Sequence, residues 1–184
     1  MELQNVLQQR RSIRKYKQQP VEKEKIEEMI QAAIYSESWK NSQTPRYHVI
    51  QSKEMLEQFK KNVYLNLIKN IADTPVLIVT TFVKDRAGFQ RNGSPDNELQ
   101  NGWGVYDCGL ANQNLILKAT ELGLGTLVMG IRDERAIRDL LEIPVQETIV
   151  SVIGVGYPDI EPSMPKKKNN RRSEYVLLMK KLTV

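Results

Sequence analysis

At 184 residues, with 40% hydrophobic and 27% charged side chains, the chain has the balance of a globular protein long enough to bury a core. No stretch is long and apolar enough to span a bilayer, and Met1-Glu2-Leu3-Gln4-Asn5 lacks the basic-then-apolar order of a signal peptide. The single cysteine, Cys108, excludes an intrachain disulfide and suits a reducing compartment, so a cytoplasmic location is the expectation.

The formal charge of +5 is unevenly spread. Residues 1–25 hold seven cations against three carboxylates, a net +4; residues 160–184 hold seven against two, a net +5; the body is left at −4. Two basic ends on an acidic body fit either a nucleic-acid surface or termini that converge on one phosphate. Composition does not choose between them.

Leu3, Val6 and Leu7 predict a short amphipathic helix ending near Arg10. The run Arg10-Arg11-Ser12-Ile13-Arg14-Lys15-Tyr16 follows. In extended form it would put Arg10, Ser12 and Arg14 on one face, two guanidinium forks around a hydroxyl, which suits a phosphate. A solvated basic loop is the plainer reading. After Pro20, the spacing of Ile26, Met29, Ile30, Ala33 and Ile34 predicts a helix. The connector Ser36 to Arg46 sets an exposed Trp39 among Ser38, Asn41, Ser42 and Gln43, and Arg46 to Gln51 reads as a strand. His48, the only histidine, has no cysteine or acidic cluster spaced to join it as a metal ligand and is read as structural.

Ser52 can cap a helix from Lys53 to about Ile71, on which Asn66 and Lys69 share a face. Pro75 to Val83 is apolar on both faces, hence a central strand. The polar, glycine-broken run 84–101 predicts a mobile excursion over a site. From Tyr106 to Leu122 a helix is apolar most of the way round, so it is expected to be buried, with Gly123 as its left-handed stop. Thr126 to Gly130 is a short buried strand ending where a backbone can approach a ligand. Asp133 caps a further short helix closed off by Pro144, and Thr148 to Gly156 is another buried strand. Three prolines then carry the chain away, before Tyr175-Val176-Leu177-Leu178-Met179 turns apolar again. Such a tail needs a surface to dock on. No internal repeat and no second domain are visible.

Motifs narrow the chemistry. No G-x-S-x-G elbow and no P-loop lysine pattern occurs, and Ser94 in Asn92-Gly93-Ser94-Pro95 reads as a turn. Gly123-Leu124-Gly125 has Val128 where a dinucleotide fingerprint needs its third glycine. With no nucleophile–base pair and no metal cluster, catalysis points to a bound cofactor.

Four segments in order resemble the FMN-dependent nitroreductase family over nearly the full length. They are Arg10 to Tyr16, Ser38 to Tyr47, Asp107 to Gly130, and the basic pair Arg171-Arg172. The resemblance implies an α+β, nitroreductase-like fold with a mixed central β-sheet flanked by helices. It also implies one FMN-binding domain over residues 1–184, whose extension 157–184 exchanges a C-terminal strand within an intertwined homodimer. Arg10, Arg11, Ser12 and Arg14 would hold the FMN phosphate, ribityl chain and pyrimidine edge, and Arg171 and Arg172 would complete the phosphate site. Ser38, Trp39 and Asn41 would come from the other subunit, Asn66 and Lys69 would meet the isoalloxazine edge, and Val128, Met129 and Gly130 would present backbone to its reactive face. No side chain would act as catalytic acid. The implied activity is ping-pong hydride transfer from NADH or NADPH to nitroaromatics, quinones or similar flat acceptors, with no nucleic acid or membrane partner. The alternatives are reductive dehalogenation or flavin cleavage on the same fold, and, from another class, a basic nucleic-acid-binding protein. Trp39, Thr44 and Met129 depart from the commoner family pattern and are expected to alter the substrate pocket.

Overall fold

In the computed structural model, residues 1–62 and 73–160 are described. Their elements, in chain order, are α1 (Leu3–Gln9), α2 (Lys23–Ile34), a 3-10 turn (Trp39–Asn41), β1 (Pro45–Ile50), α3 (Lys53–Asn62), β2 (Val76–Val83), α4 (Gly102–Glu121), β3 (Gly125–Met129), α5 (Glu134–Leu141) and β4 (Glu147–Gly156). The strands form one sheet in the order β1-β2-β4-β3, each neighbouring pair antiparallel. Among the described residues, parallel pairing is confined to an isolated bridge between Ser12 and Thr126.

The sheet is the middle of three layers because its two inner strands are apolar on both faces, as their sequences require. Leu77 and Val79 of β2 face a core built with Leu56 and Phe59 of α3 and Ile137 of α5. Val76 and Ile78 face the opposite core, with Ile26 and Met29 of α2 and Leu115 and Ala119 of α4. Strand β4 keeps both faces supplied through a bulge. Its register against β2 slips between Thr80 and Thr81, so Ser151 and Ile149 take successive partners and Val150 is left over. That extra residue turns Ile149 to the same side as Val152, three positions away.

Local signals account for the ends of the elements. The Ser52 hydroxyl accepts from Met55 N–H at 3.2 Å and the Asp133 carboxylate from Ala136 N–H at 3.0 Å, both helix caps. Helix α4 ends in a Schellman motif: Leu124 N–H donates to Ala119 O at 2.8 Å and Gly123 N–H to Thr120 O at 3.1 Å, with Gly123 at φ +77°.

Two expectations need correction. Helix α4 begins at Gly102, a turn before Tyr106, because Gly104 lies against the Phe82 ring, where a Cβ would come within 2.2 Å. The glycines that read as breakers are what let this helix close on β2. Nor is α4 buried all round: Val105, Tyr106, Gly109 and Gln113 form an exposed stripe. Leu3 and Leu7 of α1 and Ile34 and Tyr35 at the end of α2 are also exposed.

Candidate functional site

The basic segment after α1 is laid along the outer edge of β3. Ile13 N–H donates to Thr126 O at 2.9 Å, and Lys17 N–H donates to Tyr157 O at 2.9 Å. Two side chains fasten it: Ile13 and Tyr16 are buried, and the Tyr16 hydroxyl donates to Ile13 O at 2.8 Å. Burial holds the Tyr16 phenol well above its ordinary pKa, so it stays a neutral donor. With Ile13 turned in, Ser12 and Arg14 turn out, as alternation in an extended segment requires. The isolated bridge sets Ser12 beside Thr126, so Arg10, Ser12 and the outer edge of β3 as far as Gly130 follow one another as a row, whereas beyond Ile13 the segment turns onto residues 157–159, Lys15 O accepting from Asp159 N–H at 3.0 Å. The segment can lie this close only because residue 125 is glycine, whose Cβ would stand 2.5 Å from Ile13 Cγ1.

At the start of this row is a cavity of about 360 Å³ lined by Gln9, Arg10, Arg11, Thr120, Gly123 and Pro158 among others, with no carboxylate in its lining. The guanidinium groups of Arg10, Arg11 and Arg14 make no hydrogen bond or ion pair with any described residue. At the far end of the row, Val128 is half exposed and a Cβ on Gly130 would meet nothing within 4 Å. Arg132 fixes this end, donating to Gly130 O at 2.8 Å and to Ile149 O. The Met129 side chain points into the core beside Leu127 and Ile137, so only its backbone is available to a ligand. Thr44 is fully buried. Neither residue therefore lines a substrate pocket, contrary to the expectation from sequence.

The second group of predicted residues lies elsewhere. Trp39 is half buried rather than exposed, its ring centroid 4.0 Å from that of Trp103. Its backbone N–H donates to the Asp107 carboxylate at 2.9 Å, and its indole N–H donates to Asp96 at 3.1 Å. Lys40 Nζ donates to both Asp96 oxygens, at 2.8 and 2.7 Å. The Ser38 hydroxyl accepts from Gln43 N–H at 3.0 Å, and Asn41 Oδ1 accepts from the Gln43 amide at 2.9 Å. Lys40, Asn41 and Gln43 all have positive φ, at +47°, +53° and +49°, a conformation costly for residues with a Cβ.

Asp107 is only 2% exposed, and burial raises its pKa, partly offset by the Trp39 N–H. Asp96 moves the other way, lowered first by its bonds from Lys40 and also by the Trp39 indole. Sequence reading gave neither carboxylate a role of its own: Asp96 sits in the polar run 84–101, and Asp107 is one of the few charges on a helix expected to be buried. That run is tied by hydrogen bonds. The Asn101 amide donates to Asp85 at 2.8 Å and the Trp103 indole to Asn97 at 2.9 Å.

The two groups stand at opposite ends of α4. The turn around Trp39 is held at Asp107 and the arginine-lined cavity touches Thr120. At the helical rise these positions are roughly 20 Å apart along the axis. Asn66, Lys69, Arg171 and Arg172 lie outside the described residues. Among the described residues, no group of three or more His, Cys, Asp or Glu is placed to hold a metal. The Cys108 thiol, fully buried, is pushed up to about 11 by burial and is no nucleophile at neutral pH.

An FMN needs cations for its phosphate, a hydroxyl for its polyol chain and open backbone beside its ring. The row from Arg10 and Arg11 through Ser12 to Gly130 offers these in that order, so the described residues fit the group.

Comparison with known proteins identifies the family. The sequence profile of the nitroreductase family matches residues 7–157. A Methanothermobacter thermautotrophicus protein, provisionally named an NADH dehydrogenase/NAD(P)H nitroreductase, is 32% identical over 88% of this chain and 80% of its own. The Bacillus subtilis FMN reductase [NAD(P)H] is 25% identical over 90% of this chain and 71% of its own. In structure, an FMN-dependent nitroreductase from Clostridium difficile superposes with a TM-score of 0.66 at 30% identity, covering 85% of this chain and 87% of that one. The chain belongs to the nitroreductase family.

Proposed function

We propose that this protein is an FMN-dependent NAD(P)H oxidoreductase whose flavin sites are each built by two chains of a homodimer. The observation that carries the reading is Ser12 held beside Thr126 on β3, with Arg10 and Arg11 at the adjoining cavity, cations without an acidic partner among the described residues, and the open backbone of Gly130 further along. Arg10 and Arg11 take the phosphate, where each charge-assisted hydrogen bond contributes about 1.5–3 kcal/mol. Arg171 and Arg172 are assigned to the same phosphate, and Asn66 and Lys69 to the ring edge, from the resemblance alone. Ser12 bonds the polyol chain and Arg14 puts positive charge near the pyrimidine edge, favouring electron-rich forms of the ring system. Bound there, the flavin supplies the hydride chemistry that links NADH or NADPH to a nitroaromatic, quinone or similar flat acceptor.

Distance favours a dimer. Within one chain the turn of Ser38, Trp39 and Asn41 is anchored about 20 Å along α4 from the cavity of Arg10, and a second copy would bring it to the same flavin. Support comes from the exposed stripe Val105–Tyr106–Gly109–Gln113, which a second copy would cover, and from β1, which has no strand partner on its outer edge among the described residues. Residues 157–159 pair with the chain's own segment 15–17, and the tail after Ile160, apolar at Tyr175 to Met179, is assigned to such an edge on the partner.

The test is an absorption spectrum and an FMN titration of the purified protein. Flavin bands that bleach with NADH or NADPH and return with a quinone are expected; a colourless protein that takes up no added FMN would sink the reading.

A further inference from the structure

We propose that Asp96 and Asp107 are positioning residues that preset the 38–43 turn for the flavin bound by the other chain, an inference that rests on the shared-site reading above. Three residues of six in this turn hold left-handed backbone without being glycine. An unrestrained turn would spend much of its time in ordinary conformations, and a ligand that needs this one would then bind more weakly. What over-determines the turn is the pair of carboxylates. Asp107, buried in the first turns of α4, takes the Trp39 backbone N–H. Asp96, from the 84–101 excursion, takes the Trp39 indole and the Lys40 ammonium together. Stacking of Trp39 on Trp103 closes the third side.

The arrangement also gives the excursion a task. Asp96 is the acceptor that joins it to the turn, so the excursion acts on the flavin site through one carboxylate. Trp39 then serves as the handle both carboxylates hold.

The experiment compares FMN dissociation constants, read by flavin fluorescence, for wild type, Asp96→Ala, and Asp96→Ala combined with Lys40→Gly. Loss of the latch should weaken FMN binding about tenfold, as expected when preorganisation is removed. Glycine at position 40, at home at φ +47°, should return most of that affinity although it restores no contact. Asp96→Asn, which keeps an acceptor for the indole but no charge for Lys40, should fall between. A purely structural role would lower the melting temperature with the dissociation constant unmoved; that result, or a double variant no better than Asp96→Ala, overturns the proposal. A wild-type protein that binds no FMN would instead overturn the functional reading on which it rests.

Discussion

At the scale of single residues, what distinguishes the candidate site is cations whose guanidinium groups bond no described residue. Arg10 bonds no described residue through its guanidinium, which leaves it free of them to meet a ligand under the proposed function. Arg10→Ala should leave the melting temperature of the FMN-free protein nearly unchanged while weakening FMN about tenfold, the loss of one charge-assisted contact. Unchanged FMN titration would show that the phosphate lies elsewhere. Gly125 makes the opposite case, a residue with no chemistry on which the site depends. A methyl at 2.5 Å from Ile13 Cγ1 must displace Ile13, and with it the bridge that sets Ser12 beside β3. Gly125→Ala should cost about 1–3 kcal/mol in denaturant unfolding and also weaken FMN; a variant with wild-type stability and affinity would show that the segment does not depend on this close approach.

Among the elements, the sheet carries its own acid-sensitive clasp. Glu147 at the start of β4 accepts from Thr81 on β2 and meets His48 Nε2 on β1 at 2.8 Å, joining three strands. Burial alone would raise the Glu147 pKa, but the Thr81 and His48 bonds and the Arg46 charge outweigh it, and the carboxyl is held below its ordinary value. A depressed carboxylate stabilises the fold above the unfolded-state pKa, and that contribution is lost as pH falls through the depressed value. Glu147→Gln should therefore cost about 1–2 kcal/mol near neutral pH, and its melting temperature should converge on wild type in acid; a gap that stays constant with pH would refute the assignment. His48 thus takes part in a contact that ties β1 to β4. Periodicity made the inner strands, both layers of helix and the Gly123 stop legible. It could not show that α4 starts at Gly102, since the fit of Gly104 against Phe82 is a tertiary fact that overrides glycine's poor helix propensity. It missed the clamp on Trp39 for the same reason: Asp96 is 57 residues away in the chain.

For the whole molecule, the proposed shared site would give each chain two half-sites toward opposite ends of α4, with the exposed stripe of Val105, Tyr106, Gly109 and Gln113 on that helix as the face between copies. Val105 is exposed at 46% in the single chain, so Val105→Asp should spare the fold of the subunit but break the dimer and release flavin with it. A dimer of wild-type strength in sizing chromatography would place the interface on another face. FMN held by both chains binds the assembled state preferentially, so it must also tighten the dimer. The central claim, one flavin site made by two chains, is tested most directly by sedimentation velocity of the FMN-loaded protein diluted across its dissociation range, followed at flavin and at protein absorbance together. The flavin signal should travel only with the dimer boundary and become free as dimer is lost; flavin that sediments with the monomer would contradict the account.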